Sequence, residues 1–131
     1  MMRLIPFIGR ILFSLIFIVA SFGHFSQGEI QWAAAQGVPL ANVLVPLSGI
    51  LALVGGLSIL LGYHAKIGAW LIVIFLVPVT FMMHRFWGLP DPEMVPMQQI
   101  HFMKNISILG GALFFTYYGS GPISLGSSVR K

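Results

Sequence analysis

Four stretches of this chain, at residues 4–25, 40–62, 65–86 and 99–118, are apolar over the length a helix needs to cross a bilayer. Crossing roughly 30 Å of hydrocarbon takes about 20 consecutive apolar residues. The first stretch has Arg10 as its one formal charge, and the second has none. The alternation of apolar and polar side chains that marks a membrane strand does not recur. The expectation is an all-α fold: one membrane domain over residues 1–131, a four-transmembrane-helix bundle with a short interfacial helix between the first two spans. Composition excludes the other classes. With 57% hydrophobic and 8% charged residues, the chain has too little polar surface for a soluble globule and too much apolar surface for disorder. Having no cysteine, it holds no disulfide scaffold, thiolate metal site or iron–sulfur cluster. The first stretch begins basic and ends in small residues, as a signal peptide does. It is longer than a signal core, however, and Phe22 stands where cleavage needs a small residue, so it reads as a retained span.

The net charge of +4 is spread along the chain rather than gathered in a patch, which argues against nucleic acid and for membrane orientation. Arg3, Arg10, Lys66, Arg130 and Lys131 fall on one side of four spans, while Arg85 and Lys104 fall toward the other with all three acids. That bias predicts a multi-pass membrane protein with both termini in the cytoplasm. Tyr63, Trp70, Tyr117 and Tyr118 then lie near the cytoplasmic interface, and Trp32 and Trp87 near the outer one. A tight turn around Tyr63 and His64 makes the second and third spans antiparallel neighbours. Residues 29–37 read as a helix of one or two turns on the outer interface. Residues 88–97, with Pro90, Pro92 and Pro96, read as a stiff extended cap.

Periodicity shows what faces inward. Arg10, Ser14, Phe17, Ser21 and His24 follow one another at steps of four, three, four and three, which places them on one helical stripe. Lipid penalises such a stripe, so it belongs in the bundle. Thr80 stacks below His84 on the third span, and His101, Lys104, Asn105 and Ile108 share a face of the fourth. The ligand-binding candidates are therefore His24, His84, His101, Lys104 and Asn105, with Gln98 beside them. Lys104 lies inside its span and needs a partner: a carboxylate that fastens the proline-rich cap, a ligand, or water reached by snorkelling. The ion-pair candidates at this end are Glu29, Asp91, Glu93 and Arg85. The histidines lack local ligand spacing such as HxxxH, and no metal site is expected. Arg10 reads as structural, reaching lipid phosphates or groups such as Tyr117 at the inner helix ends.

Small residues mark helix contacts: Ser48, Gly49, Ala52, Gly55, Gly56 and Gly62, then Ser107, Gly110, Gly111 and Ala112. Pro78 should kink the third span and free the carbonyl of Ile74, which Thr80 or a neighbouring helix then satisfies. No nucleophile–base–orienter set, phosphate loop or dinucleotide fingerprint is present in the sequence, and whether the chain catalyses a reaction is left open.

Several of these elements, in this order, resemble the DoxX family of small membrane proteins. They are Gly9-Arg10, Gly23-His24-Phe25, Gly55-Gly56-Leu57 with Gly62, and Gly68-Ala69. His84 with Phe86-Trp87, Phe102-Met103-Lys104-Asn105 and Gly110-Gly111 follow. Gly119-Ser120-Gly121-Pro122 with Ser124-Leu125 closes the series. The resemblance implies a four-helix protein of the bacterial inner membrane with a redox association. DoxD-like relatives are linked to thiosulfate:quinone oxidoreductase and DoxX proteins to sulfur or oxidative-stress complexes. DoxD-type enzymes work with a second subunit, which this sequence does not contain.

Three functions fit. One is a redox-associated subunit that binds a quinone or similar amphipathic ligand at its outer mouth; no cofactor is encoded, so electrons come from a partner or a soluble donor. The second is a non-enzymatic scaffold for a membrane or peripheral protein, or for a second copy of the chain. The third is a lipid- or small-solute-binding protein.

Overall fold

A computed structural model describes residues 1–128. The helices are α1 (Leu4–Gly23), α2 (Gln27–Ala35), α3 (Ala41–Leu61), α4 (Ala65–Met83) and α5 (Val95–Tyr118), with short 3-10 segments at Pro92–Met94 and Leu125–Ser128. No strand occurs among the described residues. Arg130 and Lys131, which entered the charge bias, lie outside the described residues.

Each long helix packs on the next: α1 on α3, α3 on α4, and α4 on α5. The set closes where the Phe13 ring of α1 meets Phe115 of α5 at 5.0 Å. Three of these helices, α1, α3 and α4, are long and apolar enough to cross a membrane. Hydropathy along the sequence predicts four. At 24 residues α5 is the longest helix, but Gln98, Gln99, His101, Lys104 and Asn105 dilute the apolar character of its first half.

Local chemistry sets the helix ends. Ser26 caps α2, its hydroxyl accepting from the Glu29 N–H at 3.3 Å, so this helix starts two residues before the expected segment. Ser26→Ala should cost α2 about 1 kcal/mol. Amide exchange over residues 27–35 should then quicken roughly fivefold, with the long helices unchanged. The cap over residues 88–97 is not extended throughout, contrary to expectation. Asp91 accepts from the Glu93 N–H at 3.0 Å and starts the 3-10 turn, and α5 follows at Val95. Pro96 is tolerated there because the N–H groups of a first turn lack helical partners anyway.

The core joins Phe17, Ala52, Ile59, Ala69, Ile72, Phe75, Leu76 and Ala112. Within it α3 and α4 cross at glycine. A Cβ on Gly55 would stand 2.8 Å from the Gly68 carbonyl oxygen, and one on Gly68 would stand 2.5 Å from the Ser58 side chain. Gly110 is different, because a Cβ there meets nothing within 4 Å, so this expected contact residue faces outward.

The stripe on α1 is buried at Arg10, Ser14, Phe17 and Ser21. Arg10 is 1% exposed and donates to three main-chain carbonyls beyond α5, those of Ser120, Pro122 and Ile123. Gly62, at φ +66°, lies under that exit segment, where a Cβ would overlap Ser124. The Gly126 N–H donates to the Gly62 carbonyl at 2.9 Å. The end of the bundle holding Arg3, Arg10 and Lys66 is called the basic end below. The end holding Glu29, Asp91 and Glu93 is the acidic end.

Candidate functional site

The C-terminus of α1, helix α2, the first half of α3 and the last half of α4 enclose a cavity of about 480 Å³ at the acidic end. Most of its wall is apolar, with Val45, Leu51, Phe75, Pro78 and Met83 among the lining residues. Polar groups enter from His24, Ser48, Glu29 and His84, and Trp32 lines one side. The pairing of this apolar body with a few polar groups is that of a small-molecule site.

His24 follows the last residue of α1, and its ring lies 5.5 Å from that of Phe75. It fits against α3 because residue 49 is glycine; a Cβ there would stand 2.7 Å from the His24 Cβ. His24 Nδ1 lies 2.8 Å from Ser48 Oγ, and that hydroxyl donates to the Val45 carbonyl at 2.6 Å. With its proton spent, the serine oxygen accepts, so Nδ1 carries the imidazole hydrogen. His84 ends α4 in the same way and donates from Nδ1 to Gln98 Oε1 at 3.0 Å. Each neutral ring therefore keeps Nε2 as a lone-pair acceptor.

Both rings lie just past the spanning helices, and burial pushes both below the usual imidazole range. For His24, Glu29 and the Val45 carbonyl act against that shift. For His84, Gln98 opposes it, while His101 and Lys104 reinforce it. Neutral imidazole is thus the working form at pH 7.

The five expected ligand residues do not all gather in this cavity. His24 and His84 line it. His101 sits on the α5 side of His84 with ring centres 5.2 Å apart. Asn105 is buried and Lys104 is exposed, and neither lines the cavity. Among the described residues, none of Glu29, Asp91, Glu93 and Arg85 forms an ion pair with Lys104 or with another of the four. Glu29 is at the cavity wall and Asp91 is engaged as a turn cap, which leaves the cap unfastened by charge. Nor does Thr80 reach a carbonyl as expected, since its hydroxyl is buried without a partner. Ser48 read as a helix contact and Trp32 as an interface anchor, yet both line the cavity. Only the fold brings the start of α3 beside the end of α1.

The sequence profile of the DoxX family matches residues 5–85, which includes both histidines of the cavity. The chain belongs to the DoxX family. Beyond the profile, likeness extends over α5 in two curated DoxX-like relatives of Escherichia coli (strain K12). Inner membrane protein YqjF is 30% identical over 126 residues, covering 95% of this chain and 91% of the relative. Inner membrane protein YphA is 28% identical over 120 residues, covering 90% and 85%. A Surfeit locus protein 4 homolog of Schizosaccharomyces pombe (strain 972 / ATCC 24843) is 27% identical over 91 residues, covering 69% of this chain but 29% of that protein. No solved structure matches. DoxX membership fixes the membrane setting of the cavity and leaves its occupant to be argued from chemistry.

Proposed function

We propose that this DoxX protein is an inner-membrane, redox-associated subunit whose acidic-end cavity binds an amphipathic hydroxylated ligand of the quinol class. The observation that carries the reading is the pair of imidazoles, each with Nδ1 engaged and so with Nε2 left to accept in the neutral form, on a mostly apolar cavity of about 480 Å³ that Ser48 and Glu29 also enter. A hydroxyl donates to such a nitrogen, whereas a quinone carbonyl has no hydrogen to give. The fit is therefore to the reduced head group, with the ring and tail against Phe75, Val45 and Leu51. A quinol would give its two electrons to whatever partner oxidises it, while His24 and His84 orient its two hydroxyls and each take up one of the two protons released. His101 and Lys104 form an outer layer that acts on the cavity through His84, and Asn105 is buried beside them on α5. In this reading α5 is the fourth crossing, and both termini lie on the cytoplasmic side with the basic end.

Detergent-solubilised protein should be stabilised against heat more by a short-chain quinol than by the matching quinone at pH 7.5. His24→Ala or His84→Ala should weaken quinol binding about tenfold, which equals 1.4 kcal/mol. The sign of the pH dependence follows from the lowered imidazole affinities. Neutral rings persist from pH 8 down through the ordinary imidazole value of about 6.5, so quinol preference holds over that range. It should fall away only at lower pH, where protonated Nε2 donates to carbonyls instead. Equal binding of both forms, or none, overturns the reading. The scaffold reading draws on another surface, the outward face of α5 with Ser107 and Gly110. Crosslinks from Ser107 to a second protein, with no quinol binding, would favour it.

A further inference from the structure

We infer that the basic end of the bundle holds a second site, which binds a phosphate-bearing anion. A cavity of about 610 Å³ opens between the α3–α4 turn and the exit from α5, with Gly62, His64, Lys66, Tyr118, Ser120 and Gly126 among its walls. It is separate from the quinol cavity and does not depend on that reading.

Charge is the main argument. Arg10 stands directly behind this cavity: it donates to the carbonyl of Ser120, and its Nη1 lies 3.2 Å from where a Cβ of Gly62 would be. The guanidinium is 1% exposed, and its acceptors are neutral carbonyls. Its Nε is buried with no partner. The three acidic side chains of the chain, Glu29, Asp91 and Glu93, all belong to the acidic end. A buried cation held, among the described residues, by carbonyl dipoles and the face of the Phe7 ring still carries a desolvation cost, and an anion in the adjoining cavity offsets it.

The cavity is equipped for that anion. Lys66 adds a second positive charge, its Cε packed 3.3 Å from the position of a Cβ on Gly119. Ala65, Lys66 and Ile67, the first turn of α4, line the cavity, and His64 provides no side-chain cap there. Main-chain N–H groups of such a turn have no helical acceptors. Two cations and open N–H donors suit a group with several acceptor oxygens and one or two negative charges, which is a phosphate. Tyr63, Trp70 and Tyr118 are exposed around this end, as side chains at head-group depth are. The phosphate can be that of a phospholipid head group or of a soluble phosphate compound.

The test uses the full chain in detergent and follows heat unfolding with two additions. One is phosphatidylglycerol, set against uncharged diacylglycerol. The other is inorganic phosphate, set against chloride at equal ionic strength. Stabilisation by phosphatidylglycerol alone assigns the site to a lipid head group; stabilisation by inorganic phosphate as well assigns it to a free anion. In either case Lys66→Gln should weaken binding at least fivefold, and Arg85→Gln, at the opposite end, should leave it unchanged. Lys66 is exposed, so its variant folds even if Arg10 variants do not. No stabilisation by either phosphate, or equal losses in Lys66→Gln and Arg85→Gln, overturns the proposal.

Discussion

Gly68→Val should prevent the protein from being recovered as a monodisperse species, whereas Gly110→Ala should leave it intact or slightly more stable. At Gly68 the first added carbon stands 2.5 Å from the Ser58 side chain and 3.0 Å from the Gly55 carbonyl oxygen. Ser58 cannot swing aside without losing its bonds to the carbonyls of Tyr63 and His64, which shape the α3–α4 turn. The Gly55 carbonyl is main chain and cannot turn away at all. The helices must separate, exposing a contact centred on Ala52, Ile59, Ala69 and Ile72. Overpacking of that kind costs more than about 4 kcal/mol, beyond the common range for one substitution. Gly110 has open space around its Cβ position, and alanine improves helix propensity by up to about 1 kcal/mol. Size-exclusion profiles of the two variants, extracted side by side, decide the matter. A well-behaved Gly68→Val protein would mean that α3 and α4 do not cross where the structure places them.

The second large effect concerns Arg10. Arg10→Met should lower stability by about 2–3 kcal/mol, because the carbonyls of Ser120, Pro122 and Ile123 lose their donor and each buried unsatisfied group costs about 1–3 kcal/mol. Methionine also removes the cost of burying a cation, and carbonyls at the rim recover water, which keeps the total below the simple sum. At this chain length the loss corresponds to roughly a 10 °C fall in the unfolding midpoint. Arg10→Lys should fall between, since an ammonium keeps the charge but cannot fork to several carbonyls. Limited proteolysis gives an independent measure: cleavage around residues 119–126 should quicken before cleavage elsewhere. An unchanged midpoint in Arg10→Met would remove the guanidinium from any structural role.

The features legible in the sequence were those with a short-range signature. The buried stripe on α1 follows from residue spacing alone, because lipid and the bundle interior sort polar from apolar faces. His24 and His84 read only as two of five polar residues at one end of the bundle, with His101, Lys104 and Asn105, and it is the fold that separates the two lining the cavity from the rest. Less accessible were features whose meaning depends on which neighbour arrives. Gly55, Gly68 and Gly110 look alike in sequence, yet two sit at a helix crossing and one faces outward. For Lys104 the sequence leaves a carboxylate, a ligand or water open, and only the fold shows it exposed, with Asp91 committed to starting the turn before α5. The carbonyls that receive Arg10 are more than a hundred residues away and carry no side-chain mark.

That distance has a consequence for biosynthesis. Ribosomal synthesis delivers Arg10 long before residues 120–123 leave the exit tunnel, so its guanidinium must wait through the synthesis of every later helix. Until then the nascent chain carries a cation without its final acceptors, and α1 is free to sample other depths and partners. Only the last segment to emerge completes the first helix's coordination. A polypeptide interrupted before Ser120 would therefore keep α1 but lack every carbonyl that receives its arginine.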